Sequence, residues 1–284
     1  MNMNQIKNNI SFAVLAAALA LVITAALQTV ILFISRVQPV PVFLRLAIPT
    51  VAAMLIPVLI TGMNVNTTIY QIKKSGKLHA AVSIIFGFGA CTGANFLISL
   101  LNKFITGSES SGAVTFSEPF DFLLIMIAAG LLPALLEEYL FRGKILPLLI
   151  ICGSRFSVLL SALLFALIHS GAYNITFAFF AGIILGIIRI GTGRLIPCMA
   201  VHLLNNLLAL SVMGITKFLS AELGSQIFYI TGIAGIIIGL AALPFMVSMS
   251  RGKSRPTHNS ALRALLTAPM FYIFIITALI MKLL

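Results

Sequence analysis

Three apolar stretches of this chain each carry strong polar groups that such stretches rarely tolerate. The first holds Glu137 and Glu138, followed by Arg142, and residues 122–136 before them bear no charge. The second ends in His169, four residues after Phe165, and the third holds His202 and Asn206. A carboxylate at membrane depth is costly unless it is paired or hydrated, so these groups are candidates for chemistry. A carboxylate can take a proton from water, and an imidazole can hold that water or shuttle the proton. A second imidazole and an amide N–H can donate to a developing oxyanion. Together they amount to a hydrolase site without a protein nucleophile. Alternatively, two histidines and one or two glutamates bind zinc and activate water there. No HExxH helix is present, so spacing does not require a metal. No acid is placed to serve either histidine and no GxSxG occurs, which speaks against a Ser/His/Asp arrangement.

Helix geometry divides the glutamates. Neighbouring residues point about 100° apart, so the two are not expected to face one target. Glu138 and Arg142 are spaced i,i+4 and fall within pairing reach. Glu138 with Arg142 is therefore expected to be structural, and Glu137 to be chemical. His202 and Asn206 share a face by the same spacing. The two remaining histidines, His79 and His258, sit beside basic clusters and are expected to be solvated.

These groups need a scaffold, and the composition names it. Sixty per cent of the 284 residues are apolar and eight per cent are charged; soluble domains carry about 25 per cent charge. Apolar runs long enough to cross ~30 Å of hydrocarbon recur without the alternating polarity of a barrel. The fold class is therefore all-α, a polytopic transmembrane bundle of eight or nine spans. Expected spans are 11–34, 44–63, 79–101, 120–141, 156–170, 174–190, 195–215, 226–248 and 264–283, and the fourth can run past Arg142 to Pro147. Domain boundaries follow: N-terminal helices over 1–115, a core over 116–215 and C-terminal helices over 216–284. The net charge of +12 resides in connections. Even-numbered ones hold Lys73, Lys74, Lys77, Arg142, Lys144, Arg155, Arg189, Arg194, Arg251, Lys253, Arg255 and Arg263; odd-numbered ones hold Arg36, Arg45, Lys103 and Lys217. That asymmetry puts the even connections in the cytoplasm and the N-terminus outside. It reads as topology signal and anionic-lipid contact, not nucleic-acid binding. The connection around 106–121 carries Glu109, Glu118 and Asp121 and is Ser/Gly-rich. Cys91, Cys152 and Cys198 show no metal spacing and act as small apolar groups. Gly182-xxx-Gly186 and Gly235-xxx-Gly239 suit close helix packing. No internal repeat of the kind paired transporter halves show is visible.

Glu137-Glu138-xxx-Arg142, Phe165-xxx-His169 and His202-xxx-Asn206, in that order on successive helices, resemble the CPBP family. These are the CAAX prenyl endopeptidase-like and bacteriocin-processing intramembrane proteases, also called the Abi family. The resemblance covers about 120–215. It implies an intramembrane endopeptidase acting on a membrane-bound protein or peptide, in the cytoplasmic membrane of a bacterium. It further implies that Glu137 and His169 activate water, that His202 and Asn206 stabilise the oxyanion, and that Glu138 and Arg142 brace the site. The family is labelled metalloprotease, although a metal-free glutamate mechanism is also attributed to it. No cofactor is required on this reading; zinc, if present, would sit on Glu137, His169 and His202. Processing of a small secreted peptide, a leader or a membrane-bound regulator fits such a site. The rival readings are a non-catalytic immunity or scaffold protein, as in bacteriocin self-immunity, and a proton-coupled transporter.

Overall fold

Backbone amides in hydrocarbon find no water, and uniformly apolar runs satisfy them by winding into helices. The computed structural model describes residues 3–61, 74–107, 118–250 and 258–283, and these are helical apart from short turns. In chain order the helices are α1 (Met3–Ser35), α2 (Val42–Thr61), α3 (Lys77–Thr106), a composite α4 (Pro119–Cys152), α5 (Ser154–Leu167), α6 (Ala172–Thr192), α7 (Ile196–Phe218), α8 (Ala221–Ser250), α9 (His258–Leu266) and α10 (Pro269–Leu283). Among the described residues, seven are long and apolar enough to cross a membrane: α1 to α4 and α6 to α8. The other two expected spans are shorter. At 1.5 Å per residue, α5 reaches about 21 Å and α10 about 22 Å, short of ~30 Å of hydrocarbon. The last span begins at Pro269, not 264; the turn at Thr267 and Ala268 separates it from α9, which the sequence reading had not distinguished. Proline at the first helical position suits that start. Lys73, the acidic Glu109, and Arg251, Lys253 and Arg255 lie outside the described residues.

Two side groups of helices flank a central one. α8 lies along α3, and both pack on α6 and α7. On the other side, α1 packs on α2, α9 and α10 and meets α4 and α5. Its Ile6, Ile10, Ala13 and Ala17 share a buried apolar cluster with Leu140, Leu164 and Phe274. The basic connections gather at one end of the bundle. Ser75 N donates to Thr192 O at 2.8 Å, the Arg194 guanidinium donates to Ser75 O, Arg189 Nε donates to Arg142 O at 3.1 Å, and Gly191 packs on Met249 near the end of α8. At the opposite end, Phe122 near the start of α4 packs on Gly214 near the end of α7, and with Val42 and Leu46 of α2 it packs against Ile125 and Leu210. His79 is half-buried, with its ring 4.9 Å from that of Phe245, so it packs where solvation was expected.

The small-residue spacings do bring backbones together. A Cβ on Gly235 would lie 2.6 Å from Gly93 N, and one on Gly93 would lie 2.8 Å from the Gly235 carbonyl carbon. Gly182 meets the Ala162 backbone of α5 in the same way, and Gly186 meets the Val158 side chain. Backbone cannot rotate aside as a side chain can. Gly93→Ala and Gly235→Ala should therefore each cost ~1–3 kcal/mol, the range for overpacking. Gly76→Ala, with nothing within 4 Å of the added carbon, should change stability by less than ~0.5 kcal/mol. Thermal melting in detergent checks the contrast, and equal melting of all three variants would refute the close-packing account.

Candidate active site

Helix α4 is not uniform, and two prolines explain where it changes. It widens into π-turns at Met126–Leu131 and Tyr139–Ile145. Leu132 N bonds back to Ile127 O, and Leu146 N to Phe141 O, one residue further than an α-helix allows. Pro133 and Pro147 come immediately after. A proline ring clashes with the carbonyl four residues back and brings no N–H, so the preceding turn opens. Carbonyls lose their helical donors as a result. Arg142 O would take Leu146 N in the α register, but that group is used, and Pro147 in the π register, which has none. Arg189 Nε of α6 caps it. Ala129 O would take the missing N–H of Pro133; Asn206 Nδ2 of α7 lies 3.4 Å from it and 3.4 Å from Gly130 O.

The second π-turn begins directly after Glu138 and carries Arg142, both with fully buried side chains. Arg142 Nη1 donates to Glu138 Oε1 at 2.9 Å, and Nη2 donates to Gly182 O at 3.3 Å. The guanidinium carbon stands 4.4 Å from the centre of the Phe165 ring. Phe165 is a hub: its ring makes edge contacts with Phe141, His169 and His202, with centroids 5.1, 4.8 and 6.1 Å away. The sequence motif contained this phenylalanine without a role for it.

His202 departs from expectation. Its Nδ1 lies 3.0 Å from Glu138 Oε1, and its Nε2 lies 3.9 Å from Glu137 Oε2. An acid therefore does serve this histidine, and both glutamates face one ring. The 100° argument treated the target as a point. An imidazole offers two nitrogens on different edges, and adjacent carboxylates can address one each. Since a carboxylate accepts, Nδ1 carries the proton there. His169 is fixed similarly by Nδ1 donating to Phe165 O at 2.8 Å, which makes Nε2 its basic nitrogen. Its ring stands within electrostatic range of Glu137, His202 and Arg142.

His169 sits on the turn between α5 and α6, where Gly171 has φ +78°, a conformation open to glycine. The turn reverses inside the bundle. Tyr173 OH donates to Asn95 Oδ1, eleven residues or about 16 Å before the end of α3. His169, His202, Asn205 and Asn206 line one cavity of about 200 Å³, walled by Cys91, Phe165, Phe177, Ala181 and Leu185, with exposed Asn174 also on its lining. His202 lies six residues into α7 and Gly182 ten residues before the end of α6. The site is thus roughly 9–15 Å along the helices from the basic end. Sequence reasoning missed the Glu138–His202 contact, the capping Arg189 and the cavity-lining Asn205; the prolines and the second asparagine were the signals available.

The zinc alternative names Glu137, His169 and His202, of which His202 Nε2 lies 3.9 Å from Glu137 Oε2. Among the described residues, no three His, Cys, Asp or Glu side chains come together in a metal-holding group.

Residues 119–208 match the family model described as type II CAAX prenyl endopeptidase Rce1-like. The match covers about a third of the chain, the stretch that carries Glu137, Glu138, Arg142, His169, His202 and Asn206 and the resemblance to the CAAX protease, or CPBP, family. Comparison with curated proteins and with solved structures gave no match.

Removing one partner of a buried ion pair leaves the other charge stranded, at ~3–5 kcal/mol. Glu138→Ala should lower thermal stability by that order, and the double variant Glu138→Ala/Arg142→Met should recover much of it. A single variant that melts like the parent would show that the pair does not brace the bundle.

Proposed function

We propose, from the match of residues 119–208 to the Rce1-like family model, that the chain is an intramembrane endopeptidase that hydrolyses a peptide bond with a glutamate-activated water. The single observation supporting this most is the pair of contacts on His202. One carboxylate orients the ring through Nδ1, and the other stands 3.9 Å from Nε2. That gap exceeds a direct hydrogen bond and lets one water touch both groups.

In this reading Glu137 takes the proton of the attacking water, with Nε2 of His169 as a second acceptor holding it. Attack turns the carbonyl tetrahedral and places negative charge on its oxygen. His202 and the Asn206 amide donate to that oxygen. Donation from Nε2 while Nδ1 stays on Glu138 requires a ring carrying both protons, an imidazolium between two carboxylates. The 3.4 Å contacts of Asn206 Nδ2 are long for hydrogen bonds, so the amide can turn to a better acceptor. The proton on Glu137 then passes to the leaving amine. Glu138 and Arg142 hold the ring and the helices and do not touch substrate.

The substrate is a membrane-associated protein or peptide, and the setting a bacterial cytoplasmic membrane with the basic end of the bundle in the cytoplasm. Processing of a secreted peptide, a leader or a membrane regulator fits these requirements.

Glu137→Gln keeps shape and removes the base. Cleavage in cells, read as peptides that disappear and precursors that accumulate, should fall ~10²–10⁴-fold, the usual worth of general base catalysis. The melting temperature should hold. His169→Ala should also lose rate with the fold intact. Full biological activity of Glu137→Gln would favour the immunity or scaffold reading, and proton-coupled uptake lost in that variant would favour a transporter. Zinc bound in stoichiometric amount, with activity lost to a chelator, would replace the water route proposed here.

A further inference from the structure

One polar side chain on the cavity wall is used by neither the ion-pair cluster nor the helix packing. Asn205 of α7 is 8% exposed and lines the cavity with His169, His202 and Asn206. Its α7 neighbours Cys198 and Val201 are wholly buried in an apolar cluster with Cys91 and Leu185. Among the described residues its carboxamide has no hydrogen-bond partner, nor is it sealed from the cavity. Asn206 differs, since its amide nitrogen reaches two carbonyls of α4.

A buried amide with no partner is less stable than an apolar side chain of equal size. Leucine would fill the same space, yet the chain places on the cavity wall an amide that a ligand can reach. Its surroundings suggest the reason. A carboxamide offers donors and an acceptor on one group, the complement of a peptide group. A substrate helix must unwind before its backbone can be attacked, and each unwound peptide group in an apolar setting needs a partner.

We propose that Asn205 is a substrate-binding residue that pairs with the peptide group next to the cleaved bond, while Phe177, Ala181 and Leu185 receive the adjoining apolar side chain. The substrate class is then a locally unwound peptide segment with an apolar residue beside the scissile bond. This rests on the proteolytic reading above.

The test compares Glu137→Gln protein with the Glu137→Gln/Asn205→Leu double variant, both purified in detergent. The probe is a pool of fluorescein-labelled nonapeptides of Ala, Leu, Phe, Ser and Gly. Asn205→Leu should weaken binding about tenfold, the scale of a lost hydrogen-bonded group, and should melt at or above its parent. Asn205→Ser should fall between. Equal binding by both proteins, including none by either, overturns the proposal. A lower melting temperature for Asn205→Leu overturns it as well, because it would mark Asn205 as structural. Cleavage of the same pool by chains retaining Glu137 is measured separately. Binding that depends on Asn205 without any cleavage would sink the proteolytic reading and leave Asn205 a peptide-binding residue with no bond cleaved beside it.

Discussion

A guanidinium with no exposure to solvent, in the middle of an apolar bundle, is the constraint around which the core is arranged. Arg142 cannot lose its charge, so its surroundings must answer it. Glu138 supplies the countercharge one turn away on α4, the Gly182 carbonyl supplies an acceptor on α6, and Phe165 supplies the face of a ring on α5. Three helices are thus fixed relative to one charge. Glycine at 182 matters because α6 must come close enough for its carbonyl to be reached. The same Glu138 oxygen that meets Arg142 also accepts from Nδ1 of His202. Neutralising the arginine and aiming the histidine are one arrangement. Glu137, one residue earlier, points instead to the other nitrogen of His202.

The prolines carry the second part of the argument. Each opens a π-turn in α4, and each π-turn exposes carbonyls that a regular helix would consume. Asn206 and Arg189 come from different helices to meet them. The interruptions therefore do not loosen α4; they convert its spare acceptors into interhelical ties on either side of the Glu137–Glu138 pair. This is a usual place for π-turns, which recur at functional sites.

Much of this was legible in the residues. The apolar runs gave nine helices in nearly the expected places, and the i,i+4 spacing gave the Glu138–Arg142 pair. Gly182, Gly186, Gly235 and Gly239 pack helices as expected. The misses have physical causes. Helix length decides whether an apolar run crosses a bilayer: the sequence already marked 156–170 as short, and α5 is shorter still, at 14 residues. The 100° rule for adjacent side chains failed at Glu137 and Glu138 because an imidazole has two addresses. Pro133 and Pro147 were visible, but which carbonyls they strand, and which distant side chains answer, depends on contacts between helices. Asn205 stood beside a motif residue, and only the depth of its burial separates it from a solvated asparagine.

The shortness of α5 has its own consequence for access. Had that helix continued at 1.5 Å per residue to the length of its neighbours, His169 would lie midway along a packed surface. Gly171 instead reverses the chain about 16 Å before α3 ends. The result is a polar turn inside the bundle, with exposed Asn174 on the lining of a cavity that Phe177, Ala181 and Leu185 also wall. The hydrolysis proposed above requires water to reach both histidines along the turn and an apolar chain to seat against Phe177, Ala181 and Leu185 of α6. Hydrolysis inside a bilayer needs both routes to one place: water without lipid, and peptide without water. A scaffold needs neither, and a proton relay needs only the first.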